Sequence, residues 1–267
     1  MKAIKYQIKK CLYYFSFLFP WTLNYKLFRN SLKENRGTDS VLFFSIIIPT
    51  YNRAKLLKKA VDSVLSQTYP HYEILIIDDG SNDGTQDMVY KVFSEDLLNK
   101  KIRYVNHPHK GVGYARNKGL EIAQGDFIAY LDSDNIWHKN FLSIMYNALK
   151  TGSVDCAYCA MSVFNEVDKM VFTLFNSPFN RKKLLKTNFI DLNCFVHKRE
   201  LYLIKGGFDE TLTRLLDWDL ILKYTSGTGV LPVPALLVRY KIRKSIQHIT
   251  TSKPLEENEK KILSKWS

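Results

Sequence analysis

Cysteine is scarce in this chain, acids are outnumbered, and no apolar run is long enough to span a bilayer. The four cysteines in 267 residues, at positions 11, 156, 159 and 194, show no regular spacing. That excludes a disulfide framework and points to a reducing compartment. Cys156 and Cys159 form a Cys-x-x-Cys, but structural zinc needs a second ligand pair and none is present, which leaves ordinary burial of small thiols. The aromatic run from Cys11 to Phe19, interrupted by Pro20 and Trp21, falls well short of the roughly 20 residues a spanning helix requires. It also lacks the small-residue cleavage site of a secretory signal, which disfavours secretion. No Gly-x-Gly-x-x-Gly follows the first strand-like run, which disfavours a dehydrogenase. Internal repeats and low-complexity tracts are missing too.

Acidic residues number 26 against 39 Lys and Arg, a net charge of +13. Such a balance favours an anionic partner: nucleic acid, an anionic membrane face or a phosphorylated substrate. A basic surface without a specific partner has the same composition, and a nucleic-acid role rests on charge alone, so no nucleic-acid partner is expected. The length and 46% hydrophobic content suit one sizeable α/β domain. Three stretches are distinguished: a basic, aromatic amino-terminal segment over 1–40, a main domain over 41–250, and a charged terminal helix or tail over 251–267. In the first, Lys2, Lys5, Lys9 and Lys10 precede the aromatic run, and Lys26 and Arg29 follow it. Such a segment can lie in a headgroup layer with Tyr13, Tyr14, Phe17 and Trp21 inserted, or dock on the main domain as an amphipathic helix.

From Val41 the pattern becomes strand, loop and helix. Phe43–Ile48 is a continuous apolar run ending at Pro49, as a buried parallel strand requires. Helices are predicted over Ala54–Gln67, Asp83–Phe93 and Gly113–Ala123, and strands over Glu73–Ile77, Ile102–Asn106 and Asp126–Leu131. This alternation implies a mostly parallel sheet with helices on both faces, whose ligands sit beyond the carboxyl ends of the strands. The second half is less regular. Helices are predicted over Trp137–Leu149, Lys182–Lys186, Arg199–Ile204 and Asp217–Thr225, and strands over Cys156–Asn165, Lys169–Phe175 and Asn193–His197. Leu255–Trp266 reads as a charged, detached terminal helix.

Two acidic clusters end hydrophobic strands: Asp78-Asp79-Gly80-Ser81 and Asp132-Ser133-Asp134. Crowded carboxylates repel one another, so a cation or polar ligand is expected beside them. Alternate residues of an extended segment point the same way, so Asp132 and Asp134 can converge on one hard divalent ion.

With these residues in view, Ser-Ile-Ile-Ile-Pro-Thr-Tyr-Asn-Arg at 45–53 resembles the opening of the family 2 inverting glycosyltransferases of the bacterial surface-polysaccharide type. Asp-Asp-Gly-Ser-Asn-Asp-Gly-Thr at 78–85, Ala-Arg-Asn-Lys-Gly at 115–119, Asp-Ser-Asp at 132–134, Gly-Gly-Phe-Asp-Glu at 206–210 and Asp-Trp-Asp-Leu at 217–220 follow in that family's order. The resemblance covers roughly Phe43 to Arg243. It implies a GT-A fold with a smaller acceptor-side subregion, a nucleotide-sugar donor, a UDP-sugar in the first instance, and Mn2+ or Mg2+. Pro49, Thr50 and Tyr51 would line the nucleoside pocket, and Asp79 would accept a hydrogen bond from the base, unless it is simply a turn former beside Gly80. Arg116 would pair with acidic groups of the nucleotide site. Asp132 would approach the ribose and, through water, the ion, and Asp134 would ligate the ion.

Asp217 would be the general base, with Asp219 as competitor and a helix cap as the plainer role. Trp218 would stack on a sugar or pack under the helix. Arg243, in the basic stretch Arg239, Lys241, Arg243 and Lys244, would reach the diphosphate. Two positions depart from the family: Leu216 stands where it usually has Glu, and His109 where it usually has Asn. The implied activity is sugar transfer to a glycan or lipid-linked acceptor, by a peripheral enzyme at the cytoplasmic face of the cell membrane. A nucleotidyltransferase would need a Gly-rich basic loop where Pro49–Arg53 stands. A glycan-binding or scaffolding relative without turnover is supported by Leu216.

Overall fold

Strands covered on both faces by helices have no polar side to present to water, so they read as unbroken apolar runs. In the computed structural model, which describes residues 41–165, 170–174, 178–242 and 255–266, two such runs are β1 (Phe44–Thr50) and β2 (Tyr72–Asp78), with every residue buried. They pair in parallel, Phe44 opposite Tyr72 through Thr50 opposite Asp78. β3 (Ile102–Asn106) adds in parallel to β2, and β4 (Phe127–Tyr130) adds in parallel to β1. Helices α1 (Ala54–Leu65), α2 (Thr85–Val92), α3 (Ser94–Leu98) and α4 (Val112–Ile122) make the crossovers. The predicted elements of this half are all found, with ends displaced by one or two residues.

The second half extends the same sheet. β5 (Ile136–Trp137), α5 (Phe141–Leu149), β6 (Cys156–Asn165), β7 (Met170–Leu174), α6 (Arg181–Leu184), β8 (Phe195–Lys198), α7 (Arg199–Lys205), α8 (Leu216–Tyr224), β9 (Val230–Ile242) and α9 (Glu256–Trp266) follow in order. The nine strands run β3-β2-β1-β4-β8-β6-β9-β5, with β7 on the far half of β6. β8 is antiparallel to both β4 and β6, and β9 is parallel to β6.

Pleating sends Ile46 and Ile48 to one face, where they meet Leu57 and Val61 of α1 and Phe141 and Met145 of α5. Ile47, Leu75 and Ile77 go to the other face, against Ala115 and Leu120 of α4 and Leu220 and Ile221 of α8. Burying a side chain of this size contributes about 1.5–3 kcal/mol, so each face is a substantial core.

Three elements differ from the sequence expectation. The helix predicted from Trp137 starts only at Phe141, because Trp137 pairs with Val238 as β5 and stacks on Phe141 at 3.8 Å. β9 was hidden by Pro232 and Pro234, which cannot donate ladder hydrogen bonds; the register against β6 shifts just past Pro232. The terminal helix is not detached. Ile262 of α9 is fully buried in the face carrying α8, and Trp266 packs there as well. Residues 1–40, with the expected membrane contact, and Arg243 and Lys244 lie outside the described residues.

Candidate active site

The carboxyl ends of β1, β2 and β4 open on one rim, and side chains lace their loops together. Asn52, in a left-handed conformation (φ 50°), donates its N–H to Ser81 Oγ at 2.8 Å and accepts from Asn82 N–H at 2.8 Å. Asp83 Oδ2 accepts from Ala54 N–H at the start of α1. Burial works to raise the Asp83 carboxyl, but hydrogen bonds from Thr85 and Ala54 hold it below the usual carboxylate value.

The two acids ending β2 have different tasks. Asp78 is sealed, accepting from the Tyr104 hydroxyl and from Ser81 N–H. Asp79 accepts from Lys110 N–H at 2.8 Å and Gly111 N–H at 2.9 Å, and His109 Nδ1 lies 2.8 Å from its Oδ2. Asp79 therefore anchors the loop leading into α4, with most of its acceptor capacity already used. His109 also stacks on the exposed Tyr51 ring, centroids 4.1 Å apart, and so covers one face of it. Thr50 Oγ1 is buried beside them without a partner, and Pro49 sits inside β1 opposite Ile77.

Beyond β4 the chain turns through Asp132–Asn135, closed by Asn135 N–H on Asp132 C=O at 2.9 Å. Arg116 of α4 pairs with Asp132 Oδ1 at 2.7 Å, and Arg53 pairs with Asp134 Oδ2 at 2.9 Å. Asn193 holds the other Asp132 oxygen at 3.0 Å. Burial would raise the Asp132 carboxyl, but Arg116, Asn193 and Arg53 together hold it below the usual carboxylate value. Across the rim, α8 presents Asp217, which accepts from Asn188 Nδ2 at 3.0 Å. Desolvation raises Asp217 above the ordinary carboxylate value; Arg116 opposes this and the Asp132 charge adds to it.

Asp217, Asp132 and Arg116 thus share one electrostatic neighbourhood, and so does Asp191, which desolvation pushes up to about 6. Tyr240 of β9 joins them: burial first, then the charges of Asp134, Asp132 and Asp191, push its phenol up to about 12. Arg53, Asn188, Asp191, Asn193 and Tyr240 carry no role in the sequence reading. An acid and an amide two apart in the largely apolar stretch 189–196 were the available signal for Asp191 and Asn193.

The competitor Asp219 faces the other way. It is fully buried, accepting from Trp266 Nε1 at 2.8 Å and from Lys265 Nζ at about 3 Å. Trp218 is buried too, its indole N–H donating to Leu184 C=O at 2.8 Å, so it packs under the helix and does not stack on a sugar. Leu216 fills an apolar contact instead of adding charge: a Cβ on Gly113 would stand 2.7 Å from its Cδ2. Asn117, next to Arg116, binds Phe208 through both backbone groups. A Cβ on Gly207 would strike Asn117 Oδ1, which physically joins two of the sequence motifs.

Oxygen donors at 132–134 and the buried, partnerless Asn135 Oδ1 suit a hard divalent cation. Among the described residues no three His, Cys, Asp or Glu form a cluster, so such an ion would take its remaining ligands from a diphosphate and water.

Residues 45–203 match glycosyl transferase family 2, and the chain belongs to that family. Among its relatives, hyaluronan synthase of Pasteurella multocida is 29% identical over 71% of this chain and chondroitin synthase of P. multocida Pm70 is 30% identical over 71%. The chain spans 19% and 20% of those two proteins. An uncharacterized glycosyltransferase of Rickettsia typhi is 28% identical over 85% of this chain and 72% of its own length. Among solved structures, S. aureus TarS 1–349 in complex with UDP-GlcNAc superposes with a TM-score of 0.67 at 18% identity, covering 83% of this chain and 64% of that one. Mannosyltransferase PcManGT from Pyrobaculum calidifontis, in complex with GDP-Man and Mn2+, gives 0.60 at 21% identity over 85% and 66%. At these identities the likeness is one of fold, and the fold is GT-A.

Proposed function

We propose that this protein is an inverting glycosyltransferase that moves a sugar from a nucleoside-diphosphate sugar, a UDP-sugar in the first instance, to a hydroxyl of a glycan or lipid-linked glycan in surface-polysaccharide assembly. The observation that carries this reading is the pairing across one rim of an arginine-bound acid pair, Asp132 and Asp134, with a desolvated, half-buried carboxylate, Asp217. The relatives named as hyaluronan and chondroitin synthases support a glycan product. The UDP-GlcNAc of TarS supports a nucleotide-sugar donor.

In this mechanism the acceptor hydroxyl attacks C1 of the donor sugar as its proton passes to an Asp217 oxygen. The C1–O bond to the diphosphate breaks with its electron pair on the departing oxygen, and the new bond forms on the opposite face. Asn188 orients Asp217, and desolvation keeps the carboxylate basic. Arg116 neutralises Asp132 beside the donor and favours ionised Asp217. Asp134, with Asp132 through water, would hold a Mn2+ or Mg2+ ion, which would supply Lewis-acid neutralisation of the diphosphate charge. Pro49, Thr50, Tyr51 and Asp79 frame the nucleoside end, and Arg243 is assigned to the diphosphate on its place in the sequence alone.

Incubation of the protein with UDP-sugars, Mn2+ and no acceptor tests the reading. Slow donor hydrolysis, lost in Asp134→Ala, and inverted anomeric configuration in the transfer product are the expected results. A protein inert toward every donor, yet retaining glycans on a column, would instead be a binding relative without turnover.

A further inference from the structure

Asp191 feels the charges of both Asp132 and Asp217, yet the hydrogen bonds shown to its carboxylate come from neither. Both of those the structure shows come from Asn193 and converge on Oδ1: backbone N–H at 2.8 Å and Nδ2 at 2.8 Å. Asn193 is buried and its amide is fully committed. Oδ1 accepts the Asp132 backbone N–H at 2.6 Å, while Nδ2 is shared between Asp191 and Asp132 Oδ2. The Asn193 C=O accepts the Trp137 indole N–H at 3.0 Å, which fixes the short 3-10 turn Leu192–Cys194 that carries it.

An amide can rotate by half a turn at little steric cost, and only its partners decide which end is oxygen. Here the reversed amide would set its oxygen against the Asp191 carboxylate and its N–H groups against the Asp132 N–H. Asp191 therefore joins the Asp132 N–H and Asp132 Oδ2 in opposing the reversal. The permitted orientation places an N–H on Asp132 Oδ2 while Arg116 holds Oδ1, so the Asp132 carboxylate is gripped at both oxygens and cannot turn.

We propose that Asp191 is a positioning residue of the donor site: by adding an anchor to the Asn193 amide it steadies the plane of the Asp132 carboxylate that receives the donor. The inference rests on the glycosyltransferase reading and deepens it. It assigns donor recognition to a relay spanning some sixty residues of sequence, from Asp132 to Asn193 and Asp191.

Measuring donor KM, kcat and the UDP dissociation constant with Mn2+ in Asp191→Asn, Asp191→Ala, Asn193→Ser and the Ala/Ser double variant tests it. Outer partners of this kind typically carry roughly ten- to hundredfold effects, so Asp191→Ala should raise donor KM and UDP Kd by that factor with a smaller change in kcat. Asp191→Asn retains an acceptor oxygen and should stay within about fivefold of the parent, the loss of charge assistance alone. Because Asp191 acts through Asn193, the double variant should be no worse than the poorer single one. Asp191→Asn as damaging as Asp191→Ala, or additive single effects, would overturn the inference and make Asp191 a group whose charge acts directly. A parent protein that binds no UDP with Mn2+ would overturn the donor reading, and the relay's role with it.

Discussion

Asp217 and Asp219 sit two residues apart on one helix and are put to opposite uses. Asp219 is enclosed by Lys265 and Trp266, where no acceptor hydroxyl can reach it. Asp217 stands half-buried at the rim with Asn188 on one oxygen. Asp217→Asn is expected to lower kcat by roughly 10²–10⁴-fold, the usual worth of a general base, while UDP still binds with Mn2+; kinetics beside calorimetry would separate the two. The ionised form is the active one and desolvation raises its pKa. The acidic limb of the kcat/KM profile, which reports the free enzyme, should therefore lie above the ordinary aspartate value of 3.8, and a limb at or below that value would remove Asp217 from the role. At this scale the sequence was partly legible. The strand-end acids and Arg116 stood out because motif position and burial coincide. Arg53, Asn193, Asp191 and Tyr240 did not, since each gains its meaning only from a partner many residues away.

At the scale of elements, α9 is the unexpected contributor. Its charged sequence, with Glu256, Glu257 and Glu259 in the first turn, reads as a solvated helix, yet one buried Ile262 and the Lys265–Trp266 end attach it to α8. Asp209, in the loop before α8, accepts from the same Lys265. A helix so held cannot shift without disturbing Asp217 at its start. Trp266→Ala should therefore cost about 1–3 kcal/mol of stability, as loss of a half-buried aromatic and a hydrogen bond on a buried carboxylate does. It should also lower kcat more than donor affinity. Unchanged denaturation and unchanged kcat would show that α9 is only a passenger. The parallel half of the sheet was legible because strands covered on both faces leave long apolar runs. β9 was not, because two prolines interrupt its pattern and its pairing depends on β6, some seventy residues earlier.

At the scale of the whole molecule, the net charge of +13 asks for an anionic surface or ligand. Among the described residues no helix is long and apolar enough to cross a membrane. We propose that the protein works at the cytoplasmic face of the cell membrane, with the basic, aromatic sequence 1–40 contacting anionic headgroups. The full chain should co-sediment with phosphatidylglycerol vesicles at low salt and leave them as salt rises. A chain lacking residues 1–38 that stays bound equally well would contradict this placement.

The acids at the ends of β2 and β4, on the rim they share with β1, give these predictions their common root: we propose this rim as the seat of a nucleoside diphosphate and of the divalent ion that would accompany it. Thermal unfolding with UDP, with and without Mn2+, measures that most directly, because a ligand binding only the folded state raises its stability by mass action. UDP should raise the melting temperature only when Mn2+ is present, and Asp134→Ala should erase the rise. An equal rise without the metal, an undiminished rise in Asp134→Ala, or no rise in the parent protein would contradict the account.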